Sequence, residues 1–132
     1  MKLFTILAII CSLIAAIHCS VLRKWPPSME IPLEKCSAEN NIPTDLGQKI
    51  ISHREEAKTK DEKCLLGCYM KERGFLVDHK IKWELLYDTH AAHITDESVR
   101  EKVKEIFKKC EENFSYTGKD DCQIAYEAYK CA

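Results

Sequence analysis

Residues 59–70 read TKDEKCLLGCYM, and this stretch decides the fold. Thr59, followed three residues later by Glu62, forms a capping box: the threonine hydroxyl accepts a bond from a free backbone amide, and the glutamate reaches back. The stretch therefore predicts the start of an α-helix, and Gly74 predicts its end because glycine permits a left-handed residue. Within the helix, Cys64 and Cys68 are four residues apart, so both sulfur atoms face the same way.

This pair belongs to a larger set of cysteines that follows an apolar leader. Lys2 and the apolar run from Leu3 to Ile17 predict a signal peptide over residues 1–19, with cleavage after Cys19 or Ser20. An even number of cysteines in a small secreted chain indicates a disulfide framework, although six cysteines allow about fifteen pairings. Removal of the signal peptide also removes Cys11 and Cys19, and six cysteines remain in the mature chain: Cys36, Cys64, Cys68, Cys110, Cys122 and Cys131.

Metal binding is the competing use of these cysteines. Cys64 and Cys68 are close in sequence, but no paired CxxC knuckles and no HxxxH spacing complete a zinc site. We therefore expect no metal and no cofactor. Basic and acidic residues are also nearly balanced and interspersed, which is typical of a solvated surface and argues against a nucleic-acid partner.

Upstream of the capping box, three prolines predict an extended segment. Because proline disfavours helix in the residue before it, residues 21–32 are expected to form an extended N-terminal arm on a single domain of residues 20–132. Proline is tolerated in a first helical turn, so a helix is predicted to start at Pro32 and to run to about Asn40.

The rest of the chain predicts short helices, and no strand alternation occurs. Thr44 and Thr95 are the expected N-caps of two of these helices. A further helix is predicted from Lys82 to about Ala92, and the last from about Asp120 to Cys131. The fold class is therefore all-α.

The cysteine spacing carries the most specific information. The intervals between the six cysteines are 27, 3, 41, 11 and 8 residues. This pattern resembles that of the six-cysteine odorant-binding proteins of insects, and the contexts CSAE before Ile42-Pro43 and GFLVD from Gly74 agree with it. The resemblance implies six short helices around a hydrophobic cavity. It also implies three interlocked disulfides: Cys36–Cys68, Cys64–Cys122 and Cys110–Cys131.

The resemblance further implies an apolar ligand pocket, although each apolar residue could equally belong to an ordinary core. Leu66 and Met70 match pocket positions of the family relative to the cysteines, and methionine suits such a role because it is flexible and polarizable. The apolar faces of the later helices supply the other candidates. The candidate ligand-binding residues are Leu66, Met70, Leu76, Trp83, Leu86, Tyr87, Val103, Ile106, Phe107, Tyr126 and Tyr129.

The function that the resemblance implies is a secreted carrier of small hydrophobic ligands such as odorants or pheromones, with an olfactory receptor as a candidate partner. The alternative is a carrier in a reproductive, venom, salivary or gustatory secretion. We expect no catalysis, because neither a His-Asp pair beside a glycine-rich calcium loop nor a Gly-x-Ser-x-Gly elbow occurs. No stable membrane insertion is expected, and the sequence leaves the oligomeric state open.

Two histidines suggest a response to pH. His90 and His93 are three residues apart, and therefore on one side of a helix if the helix continues through them. Both would gain charge on mild acidification, since the ordinary pKa of histidine is about 6.5. If this segment borders the pocket, the two new charges would repel each other and loosen it.

Overall fold

The structure is a computed structural model that describes residues 25–132. The predicted signal peptide, its cleavage site and the start of the predicted arm lie outside the described residues. The described part confirms the all-α class, and none of its helices is long and apolar enough to cross a membrane. Its elements are α1 (Pro27–Glu39), α2 (Thr44–Ile51), α3 (Lys60–Glu72), β1 (Leu76–Val77), β2 (Lys80–Ile81), α4 (Trp83–Ala91), α5 (Glu97–Asn113) and α6 (Asp121–Cys131).

Helix α1 begins at Pro27, so the prediction of an extended arm up to residue 32 is wrong for residues 27–32. Pro27 suits the first helical position because its ring fixes φ and its missing N–H would be unpaired there in any case. Pro32 lies inside the helix and leaves the carbonyl of Ser28, four residues earlier, without its helical donor. The guanidinium of Arg73 fills this gap, since its Nη1 donates to the Ser28 oxygen at 2.7 Å.

Helix α3 has well-defined signals at both ends. The capping box at Thr59 and Glu62 is present as predicted, with the Glu62 amide donating to the Thr59 hydroxyl at 3.2 Å. At the other end Gly74 has a φ of +74°, and the amides of Gly74 and Phe75 donate to the carbonyls of Lys71 and Met70. This pair of hydrogen bonds is a Schellman motif, and it turns the chain sharply after the helix.

Two other predicted caps are wrong by one residue. Helix α2 contains Thr44 as its first residue, and Pro43 precedes it without a side-chain cap. Helix α5 is capped by Asp96 and not by Thr95: the Asp96 carboxylate accepts bonds from the amides of Ser98 and Val99. Aspartate also interacts favourably with the positive end of the helix dipole, which threonine cannot do.

A short hairpin, which the sequence did not predict, connects α3 to α4. Leu76 pairs with Ile81 and Val77 with Lys80 in an antiparallel ladder. The two loop residues, Asp78 and His79, both have positive φ, as a two-residue hairpin turn requires. A ladder of two residues per strand is too short to show alternation in sequence.

Three disulfides tie the helices together, with the pairing that the resemblance implies. Cys36–Cys68 joins α1 to α3, Cys64–Cys122 joins α3 to α6, and Cys110–Cys131 joins α5 to α6. The loops that they close overlap in sequence, so the bridges are interlocked. Helix α3 takes part in two of the three.

Helices α3 and α6 form the most extensive helix pair of the described residues. Leu65 of α3 and Ile124 and Ala125 of α6 are almost completely buried. Gly67 allows the close approach: a Cβ there would lie 3.2 Å from the Asp121 carbonyl oxygen. The shared core therefore lies between these two helices, beside the Cys64–Cys122 bridge.

Replacing Cys64 and Cys122 by serine should reduce the free energy of unfolding by about 4 kcal/mol, because this bridge closes a long loop in the unfolded chain. The matched pair Cys110→Ser, Cys131→Ser closes a shorter loop and should cost about 3 kcal/mol. Urea unfolding measures both values, and peptide mapping of the non-reduced variants shows whether the other two bridges remain. A larger loss from the 110–131 pair would contradict the loop-length argument.

Candidate functional site

The candidate site is a partly enclosed cavity of about 470 Å³, a size typical of small-ligand pockets. Five helices and the segments next to them contribute to its wall. Four of the candidate ligand-binding residues line it, namely Leu66, Met70, Leu86 and Tyr129. The other lining residues are Pro26, Ser28, Met29, Ile51, His53, Tyr69, Arg73, Phe75, Thr89, His90 and His93.

One face of α3 forms much of the wall. Leu66, Tyr69, Met70 and Arg73 follow the i, i+3, i+4, i+7 spacing that places residues on one side of a helix. The sequence analysis selected Leu66 and Met70 but missed Tyr69 and Arg73. The helical spacing was the signal that could have found them.

The Schellman motif at the end of α3 adds Phe75 to the same wall. Residues in the positions of Met70 and Phe75 are commonly in hydrophobic contact in this motif, and both line the cavity. Arg73, the C-cap, lies between them in sequence, and its guanidinium carbon is 5.5 Å from the centre of the Phe75 ring. The turn that ends the helix therefore also places an aromatic ring and a cation at the cavity.

Another part of the wall comes from residues of α1 and α2 that were not among the candidates. Pro26, Ser28 and Met29 belong to the start of α1, and Ile51 is the last residue of α2. The three residues at the start of α1 were missed because the arm prediction removed the first turn of that helix from the fold.

Three histidines line the cavity. His90 and His93 lie at the end of α4 and just beyond it, which is the position in which the sequence analysis expected a response to pH. His53, which the sequence analysis did not single out, joins them from the turn after α2. Its ring stacks on Tyr129 with centroids 3.9 Å apart and an interplanar angle of 9°. Partial burial lowers the pKa of His53, and His90 nearby lowers it further.

The other seven candidate residues do not line this cavity. Leu76, Trp83 and Phe107 are buried in the core. Trp83 donates from Nε1 to the Tyr116 hydroxyl at 3.2 Å and packs edge-on against Phe114. These three side chains therefore pack in the core and do not line the cavity.

The remaining four lie farther out. Tyr87 and Val103 are half-buried against the core, and the Tyr87 ring is 5.8 Å from that of Phe107. Ile106 is 47% exposed. The Tyr126 hydroxyl donates to Glu56 at 2.9 Å, and Lys63 lies 4.3 Å from the centre of its ring, so this tyrosine takes part in a polar surface cluster.

One group of potential metal ligands occurs among residues 25–132, formed by Cys36, Cys68 and Glu39. The two sulfur atoms are bonded to each other in a disulfide. They are therefore not thiolates, which is the form of cysteine that binds metals.

Acidification should destabilise the protein through His53. The lowered pKa of His53 means that the folded state prefers the neutral ring. The contribution of the neutral ring to the free energy of unfolding is therefore present above about pH 6.5 and is lost as pH falls through the lower, folded-state pKa. His53→Asn should lessen that loss, and asparagine tolerates the positive φ at this position. Urea unfolding at a series of pH values measures the effect. An unchanged pH slope in the variant would contradict it.

Comparison with known proteins gives a family. The family model described as PBP/GOBP family matches residues 28–132, which is most of the chain and includes the six helices of the described residues except the first residue of α1. None of the curated proteins and none of the solved structures compared with the chain matches it. The matched region also contains the six cysteines and every lining residue of the cavity except Pro26. The chain therefore belongs to the PBP/GOBP family, the pheromone- and general odorant-binding proteins of insects.

Proposed function

We propose that this protein is a secreted, non-catalytic carrier that binds small hydrophobic ligands such as odorants or pheromones in the cavity beside α3. The observation that carries the proposal is the cavity itself. Its wall is mostly apolar, with Leu66, Met70, Phe75 and Leu86 among its buried residues. An apolar cavity with a few polar groups is the usual form of a small-molecule binding site.

The hydrogen bonding of the polar lining residues supports binding without catalysis. The Tyr129 hydroxyl donates to the Ile50 carbonyl, and the Thr89 hydroxyl donates to the Leu85 carbonyl at 2.8 Å. His90 Nδ1 is 2.8 Å from the Leu86 carbonyl oxygen. Nucleophilic catalysis needs a hydroxyl or thiol bonded to a general base. Here the hydroxyls of Thr89 and Tyr129 and one imidazole nitrogen of His90 bond to backbone carbonyls instead.

Secretion is supported by the leader and by the three disulfides. Disulfides persist in oxidising compartments and are rare in the cytosol. A carrier outside the cell also needs resistance to unfolding, which interlocked bridges provide by restricting the unfolded chain.

Filling the cavity should weaken the binding of a ligand. Thr89→Trp places a large ring at a half-buried lining position, and we expect the affinity for a displaceable fluorescent probe such as 1-aminoanthracene to fall at least about tenfold. Leu85→Trp is the matched control: it lies one turn earlier on α4, is 46% exposed and does not line the cavity. Equal probe affinity in the wild type and the Thr89 variant would refute the cavity as the binding site.

A further inference from the structure

Among residues 25–132, Arg73 is the one side chain lining the cavity that carries a permanent charge, and two contacts restrain it. It caps α3 at its carboxyl end, where the helix dipole favours a cation. Nη1 is bonded to the Ser28 carbonyl, and the guanidinium carbon lies 5.5 Å from the centre of the Phe75 ring. Both contacts restrain the guanidinium plane, so little conformational freedom is left to lose on ligand binding.

Neither contact neutralises the charge. None of the lining residues is an aspartate or a glutamate, and within residues 25–132 Arg73 forms no ion pair. Residues 1–24 contain no aspartate or glutamate either. The Ser28 carbonyl is a neutral acceptor that is free only because Pro32 has no N–H. The guanidinium therefore lies at an apolar cavity without an anionic partner.

One donor of this guanidinium also has no partner within the described part of the chain. The Nε atom of Arg73 is buried and forms no hydrogen bond to any of residues 25–132. A buried donor left unpaired is unfavourable, so a ligand that supplies an acceptor is favoured. Nε and Nη2 form one edge of the guanidinium, and that edge matches the two oxygens of a carboxylate.

We propose that the ligand of this cavity is an amphiphilic carboxylic acid, whose carboxylate pairs with Arg73 and whose hydrocarbon chain packs against the apolar wall. The inference rests on the proposed carrier function and names its ligand class. Leu66, Met70 and Phe75 provide the apolar surface next to Arg73. An alcohol or ester of the same chain would offer Nε an acceptor but would leave the charge uncompensated.

The test compares dodecanoic acid, its methyl ester and dodecanol by displacement of 1-aminoanthracene at about pH 7.5. We expect the wild type to bind the acid at least about tenfold more tightly than the ester or the alcohol. In Arg73→Met this preference should disappear while the ester affinity stays within about twofold. Arg73→Lys keeps the charge without the planar fork and should retain part of the preference.

Controls separate a ligand contact from a structural role. Arg54→Met makes the same substitution at an exposed arginine that does not line this cavity, and it should keep the full preference. If Arg73→Met weakens all three ligands equally, Arg73 only supports α1 and the proposal is wrong. A wild type that binds the ester or the alcohol as tightly as the acid also overturns it. If the wild type binds neither the probe nor any of the three, the carrier function itself fails.

Discussion

Helix α3 is held by disulfides on one side only, and the arrangement of the other helices depends on this. Cys64 and Cys68 are one turn apart, so α1 and α6 are both tied to the same side of the helix. At 100° per residue the opposite side carries Leu66, Met70 and Arg73. The bridges thus hold the neighbouring helices against one face while the other face lines the cavity.

A protein with a cavity gives up contacts that a filled core would have. The described part of this chain keeps its dense packing between α3 and α6, where Leu65, Ile124 and Ala125 are almost fully buried. The bridges act mainly on the unfolded chain, by reducing the entropy that folding must overcome. They can therefore offset missing contacts without occupying the space in which a ligand would bind.

The sequence predicted the features that depend on local chemistry. The capping box at Thr59 is short-range, and it was located to the residue. The cysteine pairing and the cavity came from the family resemblance. The start of α1 was missed because the donor that Pro32 lacks is replaced by Arg73, far along the chain, and no local rule contains that contact. Only four of the fifteen residues that line the cavity were among the candidates. Leu66 and Met70 came from the family pattern, whereas Trp83 and Phe107 are core residues whose spacing looks the same in sequence.

The shape of the cavity depends on Gly67, although this residue does not line it. A Cβ at this position would lie 3.2 Å from the Asp121 carbonyl oxygen and 3.3 Å from the Cys122 Cα, so α3 and α6 are in backbone contact beside their bridge. A Cβ there would require the two backbones to separate by a few tenths of an ångström, and Leu66, the residue before Gly67 on α3, would move with its helix. In evolution, substitutions at the interface of α3 and α6 can therefore change the shape of the cavity without any change to the residues that line it.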